Sequence, residues 1–285
     1  MQSFKDIPIM TNNSEVNIWC GSESMGSNPN SVSFLNKKYS IVFDIDNTLV
    51  YTTPLQTEYS SFVIYQQKNT SHQAKSTTSL STAMVSEKPL DATTGTSKRI
   101  SRYSIPRSKK RKFFVQIRPG LIDFLQCVSQ NFNIFFYTAS EREYAKEVVS
   151  KILKDASNTP STKCADLTSF EYYLANLDKI IFSRECCKFM HGYELKDLSI
   201  LNLPLNDIIL VDDIQGSGLL QPMNSLIIPP FYGGINDNFL TDELLPLLTK
   251  CSQTHELIAN IRRYAKDISP HLTLYGDEEC KLNDL

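Results

Sequence analysis

Two aspartates separated by one residue close an apolar run, Ile41-Val42-Phe43-Asp44-Ile45-Asp46-Asn47-Thr48-Leu49-Val50. A strand buried on both faces reads as such a run, and this one stops at carboxylates rather than ordinary turn residues. Like charges this close repel unless a cation lies between them, and a hard, oxygen-loving ion such as Mg²⁺ suits the pair. One carboxylate could attack an electrophile while the other, protonated for part of the cycle, serves as acid and then as base. The same two residues could instead end the strand and cap the next turn, a frequent use of Asp.

The elements that must position these residues follow from the rest of the chain. Its 285 residues are enough for a substantial core, in one large domain or two, and a net charge of -2 gives no bulk attraction to nucleic acid or membrane. No apolar segment after Met1 resembles a secretory leader and no apolar run approaches a membrane span, which predicts a soluble, non-secreted protein. Seven cysteines without regular spacing fit a reducing compartment rather than a disulfide scaffold. None of them is followed six positions later by arginine, so the phosphate loop of cysteine-dependent phosphatases is missing.

Residues 1 to 38 read as a polar arm, and residues 67 to 108, rich in Ser, Thr and Lys, as a mobile insertion that cannot repay the entropy of ordering. Between and after them, apolar runs predict strands near 39 to 43, 61 to 65, 113 to 117, 133 to 137, 179 to 182, 207 to 211 and 225 to 228. Pro119 opens a helix through Leu121, Phe124, Leu125 and Val128. Ser140 with Glu143 forms a capping-box signature for a helix over 141 to 154. Further helices are expected near 169 to 176, 241 to 250 and 254 to 266, with 267 to 285 as a tail.

Strands alternating with helices predict an α/β fold: a three-layer, Rossmann-like parallel sheet with helices on both faces and a small β-hairpin, 61 to 65 with 113 to 117, inserted after the first strand. Asp44, Thr138, Arg184 and Asp212 then fall at the carboxyl ends of different strands, which open on one crevice. That convergence is a stronger signal than any one motif, and it favours a site over a strand-end cap.

Asp44-Ile45-Asp46-Asn47-Thr48, Tyr137-Thr138-Ala139-Ser140, Lys196 and Asp212-Asp213 are similar to the four ordered motifs of the haloacid dehalogenase superfamily. Within it, Leu49-Val50, Arg118-Pro119-Gly120, Arg184-Glu185-Cys186 and Lys196-Asp197-Leu198-Ser199 bring the chain closest to phosphatases acting on the carboxy-terminal repeat domain (CTD) of RNA polymerase II. The resemblance spans 39 to about 266 and implies a phosphatase domain there. It implies Asp44 as nucleophile, Asp46 as acid and base, and Thr138 and Lys196 on the phosphoryl oxygens. It implies Mg²⁺ held by Asp44, the Asp46 main-chain carbonyl and Asp213, with Asp212 orienting Lys196 or the metal shell, and substrate contacts from Thr48 and Arg184. Two departures stand out: Asn47 replaces an acidic residue common in the nearest relatives, and Asp213-Ile214-Gln215 stands where small members have Asn and then Ser-Pro.

The small hairpin leaves too little cap to enclose a metabolite, which points to a phosphate displayed on a protein segment, plausibly the polymerase CTD, and to a monomeric enzyme with no nucleic-acid or membrane partner. Phe62, Ile64 and Phe114 could hold a proline or aromatic beside the phosphoserine, although strand burial explains them equally. Lys109 to Lys112 reads either as a nuclear import signal, giving a nuclear and otherwise cytoplasmic protein, or as a basic rim for an acidic phosphopeptide. Two alternatives stay open: a phosphatase for small molecules or nucleic-acid ends on the same scaffold, and a catalytically silent phosphopeptide-binding module.

Overall fold

The computed structural model describes residues 37–66, 110–160, 170–190 and 192–275. The polar arm up to residue 36, the insertion 67 to 108, Lys109 and the chain after 275 lie outside the described residues. The centre is a six-stranded sheet in the order β11-β10-β9-β1-β5-β6. Its strands are β1 (Tyr39–Phe43), β5 (Phe132–Tyr137), β6 (Ile181–Phe182), β9 (Ile208–Asp212), β10 (Ser225–Ile227) and β11 (Thr273–Leu274). The first five run parallel, and β11 closes the β10 edge antiparallel.

Every residue of β1, β5 and β9 is buried. Successive side chains of a strand point to opposite faces, so complete burial means that both faces of the sheet are covered. The cover comes from helices α1 (Leu121–Val128), α2 (Arg142–Asn158), α5 (Leu245–Ser252) and α6 (Leu257–Ile268), with short α3 (Phe170–Ala175) and α4 (Leu177–Ile180) at the β6 side. Helix α2 buries Tyr144, Ala145, Val148, Val149, Ile152, Leu153 and Ala156 along one face, the spacing of an amphipathic helix laid on a core.

Several expectations are corrected. The expected pairing of 61 to 65 with 113 to 117 forms, as β3 (Phe62–Gln66) against β4 (Arg111–Ile117), but the insertion is a three-stranded antiparallel sheet because β2 (Val50–Thr53) pairs with the other edge of β4. A short hairpin that no apolar run predicted, β7 (Lys188–Met190) with β8 (Tyr193–Leu195), precedes Lys196. The chain beyond 267 does not simply trail away: Leu272 and Leu274 are buried and β11 joins the central sheet. Helix α2 lacks the capping box, since the side chain of its N-cap, Glu141, makes no capping hydrogen bond and the Ser140 hydroxyl goes to Asp46 instead. Cys127 and Cys186 each take part in a disulfide, where reduced thiols were expected, while Cys187 and Cys251 are free.

Candidate active site

Because β1, β5, β6 and β9 run in parallel, the residues that follow their carboxyl ends meet on one side of the sheet. Asp44 follows β1, and its backbone N–H donates to the Val211 carbonyl at 2.9 Å, which locks the strand end to β9. The chain then turns tightly: Leu49 and Val50 both donate to the Ile45 carbonyl, and Asn47 sits at φ 60°. Asn tolerates that left-handed conformation better than most residues, so an amide at this position has a backbone reason as well as a place in the motif.

At the centre lies Lys196, only 2% exposed, its ammonium 2.5 Å from Asp44 Oδ1 and 2.6 Å from Asp212 Oδ2. Burial alone would lower its pKa, but the two carboxylates hold it above the ordinary lysine range. For Asp44, burial pushes the carboxyl up, Lys196 pulls it down and Asp212 adds to the rise, leaving it raised. Asp212 spends its second oxygen on the Ile214 N–H at 2.8 Å. Asp213 is freer: burial, then Asp212, push it up to about 6, and the Thr48 hydroxyl donates to its Oδ1 at 3.2 Å.

Carboxylate oxygens of Asp44, Asp212 and Asp213 lie within 4.8 Å of one another. An all-oxygen, acidic donor set of this kind fits a hard divalent cation such as Mg²⁺. Asp46 points elsewhere. Its Oδ2 accepts from the Ser140 hydroxyl at 2.7 Å and its Oδ1 from the Tyr144 hydroxyl. Burial raises its carboxyl above the usual range, and these two hydrogen bonds offset part of the rise. Two aspartates two residues apart therefore occupy different environments, one facing a cation and the other facing hydroxyls, and a pair split in this way suits a nucleophile and a proton carrier.

Of the remaining sequence-predicted residues, Thr138 is buried after β5 and its hydroxyl accepts from the Ser140 N–H at 3.0 Å, beside the start of α2. Thr48, expected at the substrate, is fully buried against Asp213 and supports the acidic cluster instead. Arg184 is exposed, with its Nε donating to the Ala139 carbonyl at 2.7 Å and lying 3.7 Å from Glu194. Ile64 and Phe114 are buried, and Phe62 packs against the core beneath the Lys151 ammonium. Of these three only Ile64 lines the open cleft of about 610 Å³ between β3 and α2, together with Tyr65, Gln66, Glu141, Tyr144 and Lys146.

Sequence reasoning missed Tyr144, the Thr52 beside it, and the role of Arg118. Tyr144 carried a signal: it is the one side chain on the buried face of α2 with a hydroxyl. Arg118 entered only as part of the Arg118-Pro119-Gly120 motif, yet it is completely buried, with Nε and a terminal nitrogen both 2.9 Å from Asp237 and the other terminal nitrogen donating to the Thr48 carbonyl at 3.0 Å. Its guanidinium lies against the rings of Phe231 and Phe239. The Phe231 N–H donates to the Asn47 carbonyl at 2.6 Å, so the segment around 231 to 239 clamps the turn that follows β1.

A parallel sheet with an Asp-x-Asp turn after its first strand, a threonine after the next, and a lysine and paired aspartates beyond is the arrangement of the haloacid dehalogenase type. The chain belongs to the NLI interacting factor-like phosphatase family, whose model matches residues 39–258. It is similar to CTD small phosphatase-like protein 2 of Dictyostelium discoideum, 25% identical over 227 residues, covering 79% of this chain and 29% of that protein. It is 29% identical over 161 residues to the mitochondrial import inner membrane translocase subunit TIM50 of Candida albicans, covering 56% of this chain and 28% of the relative. It is 28% identical over 142 residues to phosphatase PSR1 of Saccharomyces cerevisiae, covering 49% and 28%. The chain thus spans under a third of the length of each of these relatives. A solved structure of Fcp1, an essential RNA polymerase II CTD phosphatase, aligns at 15% identity and a TM-score of 0.42, covering 85% of this chain and 54% of that chain. The fold assignment itself rests on the strand order and register above.

Proposed function

We propose that this chain is a Mg²⁺-dependent protein serine/threonine phosphatase that works through an aspartyl-phosphate on Asp44, with a phosphorylated segment such as the polymerase CTD as its substrate. The observation that carries the reading is the split between the two motif aspartates: Asp44 is 2.5 Å from the Lys196 ammonium, whereas Asp46 is held by the Ser140 and Tyr144 hydroxyls.

In the first step a carboxylate oxygen of Asp44 attacks phosphorus as the bond to the serine or threonine oxygen breaks, and Asp46 gives its proton to that leaving oxygen. In the second, Asp46 takes a proton from water, which attacks phosphorus and releases inorganic phosphate from Asp44. Lys196, fixed between Asp44 and Asp212, keeps positive charge beside the nucleophile and stabilises the charge that builds on the transferring group. Thr138 stands at a strand end beside a helix N-terminus, a favourable place to hold a phosphoryl oxygen. Mg²⁺ held by Asp44, Asp213 and the Asp46 main-chain carbonyl, with Asp212 behind them, would offset the repulsion between nucleophile and phosphate dianion.

Protein rather than metabolite substrate is supported by the site's surroundings. Among the described residues, the ordered insertion between Asp46 and Thr138 is the small β2-β4-β3 sheet with an open cleft beside it. Such a cleft suits an extended segment lying across the surface. The relatives named as translocase subunits favour a second reading, a binding module that keeps the fold and uses it to hold a partner. Their mitochondrial names set against the CTD phosphatases also leave the nuclear reading resting on the basic run before β4, of which Lys110, Arg111 and Lys112 are described and Lys109 is not. No described helix is long and apolar enough to cross a membrane.

The test is phosphate release with Mg²⁺ by wild type and Asp44→Asn, on serine-phosphorylated CTD peptides and on a panel of small phosphate esters. Asp44-dependent release from the peptides, with the metabolites poor, is the expected result. A metabolite preference would move the chain to small-molecule chemistry, and peptide binding without turnover would establish the binding module.

A further inference from the structure

The hydroxyl contacts of Asp46 extend beyond the motifs. Tyr144 lies in the first turn of α2, and its ring is buried. Its hydroxyl donates to Asp46 Oδ1 and lies 2.8 Å from the hydroxyl of Thr52 on β2 of the small sheet. Ser140 takes the other Asp46 oxygen at 2.7 Å. The outer torsion of an aspartate is soft and broad, so a carboxylate needs a partner on each oxygen to hold one orientation. The Ser140 hydroxyl turns freely on its own Cβ, whereas the Tyr144 oxygen is fixed by a packed ring and by Thr52. Core packing explains why an aromatic ring occupies this position on α2. It does not explain why the ring ends on a carboxylate rather than in solvent.

We propose that Tyr144 is a positioning residue that aims the Asp46 carboxylate at the leaving oxygen, and that Thr52 ties this aim to the small sheet. The inference rests on the phosphatase reading above. Two further observations join the residue to substrate. Tyr144 lines the cleft of about 610 Å³ beside Ile64, Gln66 and Lys146. Thr52 sits on the sheet that supplies the cleft's other wall through β3. A phosphorylated segment lying in the cleft therefore touches the same side chain that orients the proton donor, so correct seating and correct aim are read by one residue.

The experiment compares wild type, Tyr144→Phe and Thr52→Val with Mg²⁺ on two substrates. One is a phosphoserine peptide, whose alkoxide leaving group needs a proton in the transition state; the other is p-nitrophenyl phosphate, whose leaving group needs almost none. The readout is kcat/KM, which reports events through the first irreversible step. Tyr144→Phe keeps the ring and its packing. It is expected to lower kcat/KM on the peptide by about 10- to 100-fold, at most the lower end of what a general acid contributes because Asp46 itself remains, and on the aryl ester by about threefold. Thr52→Val is expected to give the same split at smaller size. An equal loss on both substrates, or no loss on either, overturns the positioning role while leaving an Asp44-dependent wild type intact. A wild type that releases phosphate from neither substrate overturns the phosphatase reading and this inference with it.

Discussion

Two cations are sealed inside this fold on either side of the same turn, and they do different work. Lys196 bridges Asp44 and Asp212 with one ammonium, at 2.5 and 2.6 Å. Arg118 spends a planar fork on Asp237, a backbone carbonyl and two aromatic faces. A compact point charge suits a site where carboxylates must change partners during a reaction. A rigid, multidentate guanidinium suits a joint that must not move. The comparison teaches that burial of a charge does not by itself mark chemistry; the partners do. Lys196 faces two acids in an acidic cluster, and Arg118 faces one acid and the main chain of the turn that presents Asp44 and Asp46.

The comparison can be broken at either cation. Removing the partner of Arg118 has the largest expected effect on stability: Asp237→Ala strands a fully buried guanidinium and should cost about 3–5 kcal/mol, measured by denaturant unfolding. If the loss is below about 1 kcal/mol, Arg118 is not the joint described here. Lys196→Met should cost about 100- to 1,000-fold in kcat, the scale of losing one preorganised charge in a site. The peptide KM should change far less. A loss confined to KM would make Lys196 a binding residue only.

The smallest effect is the pH dependence of metal binding. Asp213, raised to about 6 by burial and by Asp212, binds a proton below that pH and releases it above. Mg²⁺ competes with that proton, so its affinity should strengthen as pH rises through about 6 and weaken below, as followed by calorimetric titration. Asp213→Asn should flatten this step. A step that survives the substitution would assign the titration to another group.

The contrast between the cations also marks what could be read from the chain. The central strands were legible because burial on both faces forces continuous apolar runs, as in Ile41-Val42-Phe43 and Ile208-Ile209-Leu210-Val211. Strand-end placement then pointed Asp44, Thr138, Arg184 and Asp212 at one crevice, while Lys196 and Asp213 entered only through the motif resemblance. The β7–β8 hairpin was not legible, because strands of three residues, of which only Leu195 is buried, leave no alternation to see. Ser140 gave a genuine capping signature, and a tertiary partner overrode it: the hydroxyl that could close α2 binds Asp46 instead. Arg118 and Tyr144 were missed for a shared reason. Their partners are 119 and 98 residues away in sequence; a hydroxyl on the buried face of α2 shows that Tyr144 needs a partner, but no local pattern says which one.

The central claim is that Asp44 carries the phosphoryl group. Rapid acid quenching of the wild-type protein during turnover of a ³²P-labelled phosphoserine peptide, followed by digestion, tests it most directly. An acid-stable, hydroxylamine-sensitive label is expected on the fragment containing Asp44, and none in Asp44→Asn. Phosphate release with no trapped label, or a label on a fragment lacking Asp44, would contradict it.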